Sequence, residues 1–222
     1  VTTREYKATE LGRIPEDWAI WTLGELGATY SGLSGKSGPA FGHGDGLYVP
    51  FTNVMRNVVT DLRQLERVEV LPGERQNVVV DGDVLFNGSS ETPEELGYAS
   101  YVSRPCGALY LNSFCFGYRI KRPDIIDGLF LAYWSRSIVG RQLLQPLAQG
   151  STRYNLSKRS LLSTSIYLPP VDEQREIAAV LSDGDALASE LKARLEKTRL
   201  LNAGIGQQLI SGKTQLNEAA EG

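Results

Sequence analysis

Ile166-Tyr167-Leu168-Pro169-Pro170-Val171-Asp172-Glu173-Gln174-Arg175-Glu176-Ile177-Ala178 divides the chain into two kinds of sequence. Upstream, glycine, proline, asparagine and short β-prone runs dominate; downstream no proline occurs and the pattern is helical. Paired prolines are stiff and disfavour helix in the residue before them, which sets the boundary at 168–170. Asp172 stands where an N-cap belongs, with Ile177, Val180 and Leu181 as a short apolar face. Gly184, within Ser182-Asp183-Gly184-Asp185, is expected to break this helix, and Asp185 to cap a second. Leu187, Leu191, Leu195, Leu201, Ile205 and Leu209 then recur on one face, flanked by charges of both signs. Residues 185–210 as a helix would make a rod of about 39 Å. Gly204 and Gly206 weaken it by about 1 kcal/mol each. Gly212 fits a C-terminal stop, and the tail from Asn217 is expected to fray.

The first 170 residues read as mixed α and β. Thr22-Leu23-Gly24-Glu25 fits a capping box opening a short helix. The glycine-rich stretch 31–46 reads as a loop. Strands are expected at Leu47–Phe51, Arg67–Leu71, Asn77–Val80, Val84–Phe86, Tyr98–Val102, Ala108–Leu111, Phe116–Ile120 and Ser165–Leu168, with Asp81-Gly82 as a hairpin turn. Helices fit Asp124–Ser137 and the run through Leu143–Leu144. The fold class is therefore α+β, followed by a long C-terminal helix.

Composition limits the function. Hydrophobic residues make up 41% of 222, including three Trp, ten Tyr and six Phe, enough to fold a domain of ordinary size. No apolar run reaches the ~20 residues that span a bilayer, and Val1–Ala8 is not an apolar leader, so no membrane association and a cytoplasmic location are expected. Cys106 and Cys115 are expected to be reduced thiols, and with His43 as the sole histidine they make a poor zinc set. A net charge of −3 means that any nucleic-acid contact must use local basic surface.

Catalytic patterns are incomplete. Gly35-Lys36-Ser37 imitates the end of a P-loop, but Tyr30 occupies the position of its first glycine. A single histidine and no Gly-x-Ser-x-Gly elbow leave a serine triad nothing to build on. Asp81 and Asp83 lack a nearby acid-x-Lys partner; the triplet Glu190-Leu191-Lys192 lies on the long helix. A base methyltransferase would need a cofactor loop and an Asn-Pro-Pro-aromatic stretch, and neither is present. No catalytic, metal or cofactor site is expected. Two acid-free stretches are left: 96–122, with Arg104, Arg119, Lys121 and Arg122 among four tyrosines, and 148–163, with Arg153, Tyr154, Lys158 and Arg159.

The ordered set of motifs resembles the specificity subunit of bacterial type I restriction-modification enzymes. Leu11-Gly12-Arg13-Ile14-Pro15-Glu16-Asp17-Trp18 with Leu23-Gly24-Glu25-Leu26 looks like the opening of a target recognition domain. Tyr48-Val49-Pro50-Phe51-Thr52-Asn53-Val54, Asp81-Gly82-Asp83-Val84-Leu85-Phe86 and Leu96-Gly97-Tyr98 follow in the family's order. Gly150-Ser151-Thr152-Arg153-Tyr154-Asn155-Leu156-Ser157, the Pro169-Pro170 boundary and a long helix ending Leu209-Ile210-Ser211-Gly212 complete it. The similarity covers almost the whole chain, but with one recognition domain and one spacer helix where a typical subunit has two of each.

The resemblance implies a target recognition domain over 1–170, a connecting helix over 171–184, a coiled-coil region over 185–212 and a flexible tail over 213–222. It implies a non-catalytic reader of double-stranded DNA. Methyltransferase partners would supply AdoMet chemistry, and an endonuclease/translocase subunit would use ATP. Asn53, Arg56, Asn57, Asn87, Ser89 and Ser90 are candidates for base contact; Arg104, Arg153, Lys158 and Arg159, with Tyr154 beside them, for the DNA backbone. The leucine face (Leu187, Leu191, Leu195, Leu201, Ile205, Leu209) is the candidate homodimer seam, so that two copies would read an inverted repeat. Two other readings stand beside this one: a coiled-coil protein-binding adaptor, and a fragment of a DNA-modifying nuclease or methyltransferase.

Overall fold

The computed structural model describes residues 4–9 and 12–213. Contacts divide the chain into two units, Val1–Ala178 and Ala179–Gly222. The first opens on an antiparallel hairpin of β1 (Tyr6–Thr9) and β2 (Gly12–Pro15), then β3 (Ala19–Thr22). The capping box forms as expected: Thr22 Oγ1 accepts from the Glu25 N–H and Glu25 Oε2 from the Thr22 N–H, starting α1 (Leu23–Leu26). Next come β4 (Gly27–Ser31), β5 (Phe41–Val49), α2 (Phe51–Arg56) and β6 (Glu66–Val68). Strands β7 (Val84–Asn87), β8 (Ser89–Ser90), β9 (Ala99–Tyr101), β10 (Leu109–Leu111) and β11 (Cys115–Ile120) follow. Helices α3 (Gly128–Arg136) and α4 (Ile138–Leu144), strand β12 (Tyr154–Asn155), helix α5 (Lys158–Leu162) and strand β13 (Ser165–Leu168) lead to α6 (Val171–Ile210).

A four-stranded antiparallel sheet, β4-β11-β7-β9, separates two cores. Successive strand residues face opposite sides, and β7 is buried on both. Val84 and Phe86 pack with Leu23, Leu26, Tyr118 and Leu131, whereas Leu85 packs with Val49, Val54, Leu109 and Leu111. Phe86 stacks on Phe116 at 5.8 Å and meets Tyr118 edge-on. In the β4–β11 register Gly117 faces Tyr30, and a Cβ there would lie 1.9 Å from the ring, so only glycine fits. Tyr30 thereby reaches the buried Asp83 carboxylate, donating its hydroxyl at 2.7 Å, beside the two-pronged Arg119 pair at 2.8 and 2.9 Å.

Two further arginines point inward. Arg136 donates to the carbonyls of Val54, Met55, Asn57 and Ala99, closing the C-terminal end of α2. Arg141 donates to Ser135, Pro93 and Leu96. Both guanidiniums lie within 5.0 Å of the Tyr98 ring.

Several local expectations change. β5 begins at Phe41, inside the stretch read as a loop, because Gly44 and Gly46 let its backbone approach Val68-Glu69, where a Cβ would meet main chain at 2.6 and 2.7 Å. Asp81-Gly82 turns, with Gly82 at φ +83°, but the flanking residues do not pair: Val79 bridges Leu109 instead. The strand expected over Asn77–Val80 is reduced to that bridge. Phe51 begins a helix rather than ending a strand. The third helix starts at Gly128 with Asp127 as its cap, accepting from the Phe130 N–H at 2.8 Å.

The helical region is one helix, Val171–Ile210, running through Gly184. A lone glycine costs only about 1 kcal/mol there and does not by itself reverse the chain. The break at 184 and the cap at Asp185 are thus not realised, and Asp172 lies in the first turn rather than at the cap. Gly212, at φ +69°, ends the helix as expected, with the Gly212 and Lys213 N–H groups donating to Leu209 and Gln208. The fraying expected from Asn217 lies outside the described residues. The first two turns of α6 belong to the globular unit: Gln174, fully buried, donates to Ile125 and Pro169 carbonyls at 2.8 Å and accepts from the Asp127 N–H. Beyond Ala178 the leucines stand in solvent, Leu187, Leu191 and Leu195 each more than half exposed. Among the described residues no helix is long and apolar enough to cross a membrane.

Candidate nucleic-acid interface

The loop 149–155 closes on itself through paired Gln149 and Asn155 backbone bonds of 2.8 and 3.1 Å. Gly150, at φ +123°, lies so close to the Arg153 carbonyl that a Cβ would fall 2.2 Å from it. That turn lifts Arg153 into solvent, while β12 pairs with β8, Tyr154 opposite Ser90 and Asn155 opposite Ser89. Ser157 then caps α5, whose first residue, Lys158, directs its ammonium to Ser31 Oγ.

Two neighbouring clefts result. The first, of about 600 Å³, is lined by Ser31, Ser34, Ser89, Ser113, Asn155, Arg153 and Lys158, with no carboxylate on its wall. The second, of about 410 Å³, holds Tyr48, Thr52, Ser90 and Asn112 with Glu66, Glu91 and Glu95. Ser89, Phe114 and Arg153 belong to both and form the ridge between them. Arg153 lies over the Phe114 ring, 5.1 Å from its centroid. Tyr48 donates to Glu66, and burial together with that carboxylate raises its pKa.

Cys115 forms part of the first wall, and burial pushes its thiol up to about 12. A thiolate is the reactive form, so at pH 8 a thiol reagent should label one cysteine, Cys106, and reach Cys115 only on unfolding. A thiol that ionises more readily when unfolded contributes stability fully below about pH 8.5. That contribution is lost as pH rises toward 12, and the raised Tyr30, Tyr48 and Tyr118 act with the same sign. Alkaline titration with parallel labelling and near-ultraviolet dichroism should show the two signals failing together. Labelling of both cysteines in the folded protein at pH 8 would refute this account.

The sequence candidates separate on this frame. Arg153, Lys158 and Ser89 converge on the clefts, and Ser90 lines the second although it is buried. Asn53 does not face outward: it is 1% exposed, its amide donating to Asp61 and Gln64 carbonyls and accepting from Asn57. Asn87 is likewise buried, donating to the Glu95 carbonyl and accepting from the Ser89 N–H. Both are fastened to backbone, which corrects their reading as base contacts. Asn57 is partly covered by its bond to Asn53, while Arg56 is exposed on α2. Arg104 is exposed at φ +50°, its N–H held by Asp81. Arg159 lines a separate groove with Leu143 and Leu147. Phe114, Asn112 and the serines at 31, 34 and 113 were missed; for Asn112, Ser113 and Phe114 the one signal was a polar turn between two strand candidates carrying an aromatic residue, and Ser31 and Ser34 lay in the glycine-rich stretch read as a loop. Among the described residues no group of three or more His, Cys, Asp or Glu could hold a metal ion.

Residues 15–198 match the family model described as the type I restriction modification DNA specificity domain. The chain is 26% identical over 215 residues to the putative type I restriction enzyme MjaX specificity subunit of Methanocaldococcus jannaschii, covering 93% of this chain and 48% of that protein. It is 24% identical over 204 residues to the EcoKI specificity subunit of Escherichia coli, covering 90% and 43%. Among solved structures, a chain described in work on complex assembly and conformational transition of the type I R-M system matches with a TM-score of 0.62 and 20% identity, over 89% of this chain and 46% of that one. The S subunit from M. genitalium matches with a TM-score of 0.56 and 17% identity, over 87% and 46%. The chain spans less than half the length of each of these relatives.

Proposed function

Because the chain belongs to the family of type I restriction-modification DNA specificity domains, we propose that it is a non-catalytic reader of double-stranded DNA, recognising one half of a bipartite site. The observation that carries this is the convergence of Arg153, Lys158 and the serines at 31, 34, 89, 113 and 157 on a cleft with no carboxylate on its wall. Cations and hydroxyls of this kind hold phosphates, and side chains on the neighbouring wall can meet base edges. Methylation with AdoMet and ATP-driven translocation and cleavage are assigned to methyltransferase and endonuclease partner subunits. Arg153 and Lys158 are assigned to phosphate, with exposed Arg104 and Arg159 as outlying contacts, and Ser89 and Arg56 to the base side.

DNA binding by the isolated chain should be weak and steeply salt-dependent, because its net charge is −3 and its basic surface is local. Tight, selective binding should appear in the complex with the methyltransferase. There, Arg153→Ala should weaken all sequences alike and reduce the salt slope by about 0.9. Nanomolar binding by the lone chain at physiological salt, or an unchanged slope for the variant complex, would overturn the assignment.

The exposed leucine face of α6 supports a homodimer as the source of a second reading unit. Leu187, Leu191, Leu195, Leu201, Ile205 and Leu209 fall on one side at 100° per residue, and all but Leu209 are more than half exposed. An antiparallel pair would set two identical readers about a two-fold axis, making the target a spaced inverted repeat. The double variant Leu191→Glu, Leu195→Glu should sediment as a folded monomer and lose bipartite recognition. A wild-type chain that is monomeric at high concentration, and single within its methyltransferase complex, would rule the dimer out.

A further inference from the structure

Phe114 is 48% exposed and lies on the ridge shared by the two clefts. Its backbone is pinned: the N–H donates to Asn112 Oδ1 at 2.8 Å and the carbonyl accepts from the Gly88 N–H at 3.0 Å. Gly88 permits that approach, since a Cβ there would lie 2.9 Å from Phe116 and 3.1 Å from the Phe114 carbonyl. The turn therefore holds the ring out rather than leaving it loose. Arg153 covers the ring at 5.1 Å, and among the described residues no carboxylate pairs with Arg153. An aromatic wedge that enters a base step needs both faces, and here one is taken. What is left is the ring edge on a ridge between a cationic cleft and a second, acceptor-lined cleft.

Resting on the DNA-reading role above, we propose that Phe114 is a specificity-determining residue that meets the C5-methyl group of a thymine in the major groove. Arg153, steadied across the ring, takes an adjacent phosphate. The methyl group distinguishes thymine from every other unmodified base, and apolar side chains are what read it. The pairing explains why a cation and a phenyl ring share one ridge: the first fixes register, and the second tests one base.

The test uses the chain assembled with its methyltransferase partner. A randomised duplex library first gives the preferred half-site, and thymine in it is then replaced, position by position, by deoxyuridine, which lacks only the methyl. One replacement should weaken wild-type binding about fourfold, the worth of one buried methylene-sized group. Phe114→Ala should lose about the same factor on the thymine duplex and become indifferent to deoxyuridine at that position. Phe114→Leu, which keeps an apolar tip, should retain part of the discrimination; unchanged melting temperatures confirm folding. Wild-type indifference to deoxyuridine at every position would overturn the proposal, as would an equal loss by Phe114→Ala on both duplexes. A wild-type complex that selects no sequence from the library would overturn the DNA-reading role as well.

Discussion

Asp83→Ala should destabilise the globular unit by about 3–5 kcal/mol, the usual cost of removing the buried partner from a hydrogen-bonded charge cluster. Domains of ordinary stability have only about 5–15 kcal/mol in total. Asp83 is 1% exposed and accepts from Arg119 twice, from the Tyr30 hydroxyl and from the Val80 N–H at 2.9 Å. Arg119 is half in solvent and can rehydrate, whereas the partly buried Tyr30 hydroxyl and the Val80 N–H lose their acceptor. Much of the loss therefore comes from stranded donors rather than from the ion pair. Asp83→Asn keeps the shape and one acceptor, so it should cost less than half as much. Urea unfolding of both variants decides the matter; a loss under about 1 kcal/mol for the alanine variant would show that the network does not hold the sheet. The Asp81-Gly82-Asp83 motif would then owe its place to something other than folding.

Gly32→Ala should also be strongly destabilising. A Cβ at Gly32 would lie 2.1 Å from the Asn112 carbonyl oxygen and 2.7 Å from that of Leu111, both main-chain atoms that cannot swing aside. Overpacking of this kind costs about 1–3 kcal/mol. Leu33 donates to the same Leu111 carbonyl at 2.7 Å, so the backbone has little room to yield. The displaced segment is the turn that carries Phe114, and the variant should lose DNA selectivity in the methyltransferase complex along with stability. Gly38→Ala, with nothing within 4 Å, serves as the comparison and should melt with wild type. Equal melting of the two variants would refute the argument.

Much of the frame was legible because it is written locally. The Thr22–Glu25 box, the strand at Ser165–Leu168, the helix start after Pro169-Pro170 and the Gly212 stop each depend on residues a few places apart. The failures share the opposite property. Glycines 44 and 46 read as a loop because their use, close approach to Val68-Glu69, involves a segment about twenty residues away. Asn53 and Asn87 have the right chemistry to read bases, and only burial shows that backbone carbonyls already occupy them. The β8–β12 pairing that brings Arg153 beside Ser89 joins segments far apart in sequence and leaves no periodic trace. Family resemblance supplied the role, but it did not separate residues that face the clefts from those that support them.

Arg136 and Arg141, turned onto carbonyls around Tyr98, also bear on how such a protein would search a genome. Its formal charge counts these two cations although they are directed inward, so the surface offered to a passing duplex is more acidic than −3 suggests. Sliding along DNA depends on a sequence-independent electrostatic hold. With that hold thin, dwell times on unrelated sequence would be short, and encounters would be sampled by hopping rather than by one-dimensional diffusion. The slow step would then be finding the site, while few molecules would be trapped elsewhere on the chromosome.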